Sequence, residues 1–181
     1  MHVADIAGLE GIIRRHGFTD YKWFDPKDVV VGEWVRLKCQ FGCPDYARVA
    51  SCPPNTLPVE ECRRFFLEYT TGLVFHFQKV APEPPERLAW GNQTNLALSR
   101  LERDIFLAGN QKAFLLFLSS CHMCPECAGA RSQCKQPGLS RPTPEGMAMD
   151  VYTTVRKLGY PIQVLTDRSD QMNKYAFLLV D

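Results

Sequence analysis

No charge of one sign dominates this sequence. Lysine and arginine number 21 against 20 aspartates and glutamates, a formal net charge of +1. There is thus neither a basic footprint for nucleic acid nor an attraction to an acidic membrane surface. Long hydrophobic runs are missing too: the longest, Ala113 to Leu118, is far too short to span a bilayer. The opening residues Met1-His2-Val3-Ala4-Asp5 lack a basic segment followed by an apolar one, so no secretory signal is expected and a cytoplasmic, reducing location is. Also absent are internal repeats, low-complexity tracts, a glycine-rich phosphate loop, a G-x-S-x-G elbow and a C-x3-C-x2-C radical-SAM triplet.

Cysteine, by contrast, is plentiful. The eight cysteines would suit four disulfides by count. They bunch instead at metal-ligand intervals in a chain with no export signal, which favours reduced thiolates. Cys121, Cys124 and Cys127 recur at i, i+3 and i+6, with Cys134 seven residues on. That C-x2-C-x2-C spacing converges three sulfurs on one small volume, as bacterial ferredoxins do for three corners of a cubane iron–sulfur cluster. Gly129 and Ala130 lie in the step to Cys134, small enough for the backbone to fold close and aim amides at a cluster. With Arg131 and Lys135 such donors would raise its reduction potential. Zinc is the rival occupant, held tetrahedrally by the same four thiolates.

A looser set lies upstream: Cys39, Cys43 and Cys52, with Pro53-Pro54 directly behind. Three thiolates leave one iron of a cubane open for water, a substrate atom or an outside ligand. Alternatively the loops share ligands, with Cys134 serving the upstream group and Cys62 completing the count. Cys62 falls on the apolar stripe Val59, Cys62, Phe66, Tyr69 of an expected helix; there it is either a buried structural thiol or a further ligand. His122 stands among the ligands, as a ligand, a proton relay or an exposed loop residue. His76 alternates within a strand and reads as a satisfied core or surface residue. Glu145 and Asp150 are five apart on an expected helix, so they do not stack; capping and solvation account for them as well as catalysis does. Lys38 and Arg48 flank the first group, as an anion site or as ordinary surface charge.

The expected fold is α/β. Helical periodicity marks residues 3 to 16, Pro58 to about Tyr69, a face through Leu98, Leu101, Ile105 and Ala108, and Thr143 to Gly159. Strands are expected at Val29–Leu37, Leu73–Lys79, Ala113–Ser119, Ile162–Thr166 and Tyr175–Val180. Phe18–Asp28, Cys39–Leu57 and Pro82–Glu86 read as connections. The alternation predicts a layered mixed sheet of about five strands with helices packed on it. Its first three strands are taken as parallel with right-handed crossovers, and Ala113–Ser119 as central and covered on both sides. The two Cys-rich loops then leave the same edge of the sheet and are neighbours.

The run Lys38-Cys39-x3-Cys43-Pro44-x-Tyr46, then Cys52-Pro53-Pro54, then Cys121-x2-Cys124-x2-Cys127-x6-Cys134 and Pro142-x2-Glu145-x4-Asp150-Val151 resembles the predicted metal-binding proteins called domain of unknown function 2284. The resemblance covers roughly Val29 to Thr166. It implies metal, as iron–sulfur, on the seven patterned cysteines, and leaves Cys62 outside the pattern. Ala47 and Ala148 stand where the resemblance implies glycine. It implies no reaction.

Together these readings describe a single iron–sulfur domain over residues 1–181. One or two 4Fe-4S clusters on Cys39, Cys43, Cys52, Cys121, Cys124, Cys127 and Cys134 would pass electrons to a redox partner protein. The rivals are an enzyme that binds a small-molecule substrate at an open iron, as in sulfur transfer or dehydration, and a non-redox zinc module for protein interactions. No nucleic-acid or membrane partner is expected.

Overall fold

The computed structural model describes residues 5–181. Met1–Ala4 of the signal reading, and the predicted helix start at residue 3, lie outside them. Helix α1 (Ile6–Arg15) is capped by Asp5, whose carboxylate accepts from the Gly8 amide at 3.1 Å. It ends at Gly17, whose φ of +80° suits the left-handed turn that closes a helix. Helices α2 (Glu33–Gly42), α3 (Val59–Leu67), α4 (Pro84–Leu107) and α5 (Val151–Lys157) follow in order.

Four strands form one sheet: β1 (Tyr21–Phe24), β2 (Gly72–Lys79), β3 (Phe114–Leu116) and β4 (Met172–Leu179), in the order β1-β2-β4-β3. Every pair is antiparallel. This corrects the expected parallel strands, their crossovers and the count of about five. β4 carries inward side chains on both faces. Ala176 and Leu178 join α1 and α4 (Leu9, Ile13, Leu98, Leu101, Ile105) in one core. Tyr175, Phe177 and Leu179 join α3 and α5 (Val59, Cys62, Phe66, Val151, Val155) in the other. A sheet sandwiched between two helical layers needs apolar residues at every position, which is why its strands read as continuous apolar runs. That signature, taken for parallel strands, belongs here to an antiparallel sheet covered on both sides.

Four element assignments change. Val29–Leu37 is not a strand: only Val31 bridges to Met149, and the chain turns into α2 from Glu33. Trp34, Leu37 and Phe41 recur at helical spacing, but on a face that is 50%, 53% and 82% exposed, so the periodicity is not anchored by a core. Ile162–Thr166 pairs with nothing; Val164 is exposed there, and a strand with no buried face has nothing to hold its register. The expected helix from Thr143 to Gly159 is broken at Ala148 (φ +57°). Thr143 Oγ1 accepts from the Gly146 amide at 3.0 Å in a short turn, and Asp150 caps α5 anew through the Thr153 amide at 2.9 Å. In the other direction, β1 lies inside the stretch expected as a connection, and its Phe24 packs over Gly72 where a β-carbon would sit 2.6 Å from the ring.

β3 is an edge strand, not a central one, although Leu115 and Leu116 are buried on its two faces. Its outer amides are met by α4. The Leu115 amide donates to buried Glu102 at 2.9 Å, and the Leu118 amide just beyond donates to Asn95 at 3.1 Å. Arg141 completes the Glu102 carboxylate at 2.9 Å. Among the described residues no helix is long and apolar enough to cross a membrane.

Candidate metal centre

The upstream cysteines straddle the end of α2. Cys39 lies in its last turn and Cys43 caps it, the Cys43 amide donating to the Cys39 carbonyl at 3.2 Å. Consecutive tight turns then bend the chain back. The Arg48 and Val49 amides both reach the Asp45 carbonyl at 3.1 Å, and the Cys52 amide reaches Val49 at 2.9 Å. Ala47 sits at φ +59°, its amide donating to the Pro53 carbonyl at 2.8 Å. The coil thus returns Cys52, buried, to the other two. Arg36 fastens α2 to its surroundings by donating to the Leu57 and Gly146 carbonyls at 3.0 and 3.1 Å.

The downstream loop leaves β3 under the control of α4. Asn95 Nδ2 donates to the Ser119 carbonyl at 3.1 Å, and Asn92 Nδ2 donates to the His122 carbonyl at 3.1 Å. Gly91 lets the helix approach: a β-carbon there would stand 2.7 Å from Ser119 Oγ. Gly129 takes φ +77°, a conformation that favours glycine. A short turn, Arg131–Gln133, then delivers Cys134.

The two loops interlock. The Ala50 amide donates to Cys127 Sγ at 3.3 Å. Asn55 Nδ2 donates to the Gly129 carbonyl at 2.8 Å, while its Oδ1 accepts from the Arg131 amide at 3.3 Å. Asp45 accepts from the Ser120 hydroxyl and faces His122 Nε2 at 3.7 Å. The expected neighbourhood of the loops is therefore present, but these contacts near the end of β3 create it, and parallel strands do not.

Cys121, Cys124, Cys127 and Cys134 line one crevice of about 70 Å³ together with Val49, Ala50 and Lys135. Cys39, Cys43 and Cys52 line a much larger cavity of about 880 Å³ beside it. Cys62 joins neither. It belongs to the core on the opposite face of the sheet from Cys52 and Cys121, and its thiol donates to the Leu57 carbonyl at 3.4 Å. Among the described residues, no three His, Cys, Asp or Glu side chains form a group that could hold one metal ion. A single zinc needs its sulfurs about 2.3 Å from one centre, whereas each thiolate of a cubane binds its own iron.

Burial first, and charge second, set what these thiols do alone. Burial, then the Asp45 carboxylate and the thiols Cys43, Cys39 and Cys121, push Cys52 up to about 12. Burial, Cys43 and Glu145 likewise raise Cys39, against a lowering by Arg36. A bound cation would reverse that order, since a coordinating thiol is deprotonated outright. That Cys121 figures among the influences on Cys52 places the two sets within electrostatic reach.

The other sequence-flagged residues fall as follows. Both ring nitrogens of buried His76 are engaged, Nδ1 with Asp20 at 2.7 Å and Nε2 with Asn173 at 2.8 Å. Asp150 is a helix cap, and Glu145 lines the large cavity with Lys38. Arg131 donates to the Pro137 carbonyl at 3.1 Å. Sequence reasoning missed Asp45, Asn55, Ser120 and the α4 pair Asn92 and Asn95. Only the last pair left a signal, two amides three apart in the sequence.

A family model described as "Predicted metal-binding protein (DUF2284)" matches residues 22–180. No curated protein and no solved structure matches the chain. The chain belongs to that predicted metal-binding family.

Proposed function

We propose that this member of the predicted metal-binding family is an iron–sulfur protein that passes electrons to a redox partner. In this reading Cys121, Cys124, Cys127 and Cys134 hold one 4Fe-4S cluster, and Cys39, Cys43 and Cys52 hold a second. The observation that carries it is the shared crevice of the four downstream sulfurs, into which the Ala50 amide donates at Cys127. A peptide amide on a ligand sulfur is the contact by which proteins tune cluster potential. The chain's own part is to hold the sulfurs, supply amide donors and wall the crevice with Val49 and Ala50; the clusters would supply one-electron chemistry.

A second reading has its own support. The three-cysteine group faces a cavity of about 880 Å³, room for a small molecule beside an iron with no protein ligand. That favours an enzyme acting at this group.

Purification without oxygen, followed by iron, sulfide and zinc analysis, tests both. Two clusters give about eight irons and eight sulfides per chain, and one gives about four of each. A colourless protein carrying about one zinc per chain and no sulfide would overturn both readings.

A further inference from the structure

A third cavity, of about 510 Å³, shares Ala50 and Ser140 with the four-cysteine crevice, but no cysteine lines it. Its charged lining is Arg131 and Arg141, with no aspartate or glutamate. Arg141 is matched: its Nε meets buried Glu102 at 2.9 Å, and its guanidinium lies 5.9 Å from the centre of the Phe114 ring. The ion-paired arginines are Arg14, Arg63, Arg64 and Arg141; Arg131 has no such partner among the described residues. Setting Glu102 against Arg141 leaves the charge of Arg131 over. Ser51 is an independent sign of a ligand. It is 5% exposed and lines the cavity, and its hydroxyl is buried with no hydrogen-bond partner among the described residues. Such a group is costly until something pairs with it. The Asn55 side chain, four residues on, accepts from the Arg131 amide at 3.3 Å and so brings both residues to one wall. Much of the remaining lining is apolar, with Phe65 and Phe114 edge to face at 5.3 Å beside Met147. Apolar walls around a few polar groups are the composition of a ligand site.

We infer that this cavity binds a small monocarboxylate with an aromatic body. Arg131 donates to the carboxylate from its planar guanidinium, whose paired N–H groups match the two oxygens. The Ser51 hydroxyl donates to it as well, and Phe65, Phe114 and Met147 cover the body. One leftover positive charge matches a carboxylate, whereas a phosphate monoester would bring close to two negative charges. The inference goes beyond the electron-transfer reading and holds whichever metal the sulfurs bind, since they line a separate crevice with Lys135 among them.

The test titrates naphthylacetate into the anaerobically purified full-length protein and follows binding by calorimetry. Saturable heat is expected. Arg131→Gln weakens the probe roughly tenfold, the scale of one charge-assisted hydrogen bond. Ser51→Ala weakens it roughly fivefold yet leaves the urea midpoint no lower, because the hydroxyl has no partner to lose; a merely structural serine would lower it. Naphthylethylamine, the same body with a cationic head, binds at least roughly tenfold more weakly than the carboxylate. No saturable heat, parent affinity in either variant, or an amine that binds as well overturns the inference. Tighter binding of naphthyl phosphate overturns the choice of a carboxylate. Metal content is measured alongside, and if Arg131→Gln lowers it, Ser51→Ala alone decides.

Discussion

Asn55 donates its side-chain amide to the Gly129 carbonyl at 2.8 Å across a gap of 74 positions in the chain. The same residue accepts from the Arg131 amide and donates to the Val49 carbonyl at 3.3 Å. One side chain therefore ties the coil holding Cys52 to the loop holding Cys127 and Cys134. Asn55→Ala removes all three bonds and is expected to cost about 1–3 kcal/mol. It should also lower iron per chain at equal protein. Urea unfolding and iron analysis read the two effects. An unchanged iron content would show that the loops need no tie.

Ala47 and Ala148 occupy left-handed backbone at φ +59° and +57°, the two positions where the family resemblance implies glycine. A side chain there costs about 1–2 kcal/mol, while glycine gives back about 0.4–1 kcal/mol through its freer unfolded chain. Ala47→Gly and Ala148→Gly are each expected to stabilise the protein by about 0.5–1 kcal/mol. A loss of that size in urea midpoints at unchanged slope would contradict the backbone geometry.

Cys62 lies across the sheet from the cysteines that line the two cavities. Cys62→Ala is expected to leave iron and sulfide content at the parent value and to cost stability of about 1 kcal/mol, from a lost buried bond and a small void. Cys134→Ala, in the crevice, is expected to lower iron content with little change in the apolar core. Loss of iron from the Cys62 variant would make that thiol a ligand.

Tyr69 and Tyr175 give an alkaline signature. Burial, then Glu68 and Glu102, push Tyr69 up to about 12; burial, then Asp20, pushes Tyr175 up to about 12. Ordinary tyrosine ionises near pH 10. Because the folded values are raised, the neutral form is favoured in the native state. Their contribution is complete below about pH 10 and is lost as the pH rises toward about 12. Stability by urea should fall across that window, and Tyr69→Phe should remove part of the fall. Tyrosinate absorbance showing Tyr69 ionised near pH 10 without loss of stability would refute this.

How far the sequence foretold the molecule depends on what kind of signal each element used. α1, α3 and the second half of α4 were legible because Leu9, Ile13, Cys62, Phe66, Leu98 and Ile105 put a helical period directly against the sheet. α2 was not, because its apolar period Trp34, Leu37, Phe41 faces outward and the β-prone Trp34 suggested a strand. Strand direction was invisible, since antiparallel strands buried on both faces carry the same unbroken apolar runs as parallel ones. The cysteine spacing marked two groups of sulfurs but left open which of them Cys134 joins; it lines the crevice with Cys121, Cys124 and Cys127. Spacing could not show Asp45 or Asn55, whose roles come from folding two loops together.

The amide that rests on Cys127 belongs to Ala50, two residues before Cys52. One hydrogen bond and a short piece of backbone therefore join the two sulfur groups into one mechanical unit. A change of position at either is passed to the other through this one contact, and on the iron–sulfur reading proposed above the two groups are expected to load together.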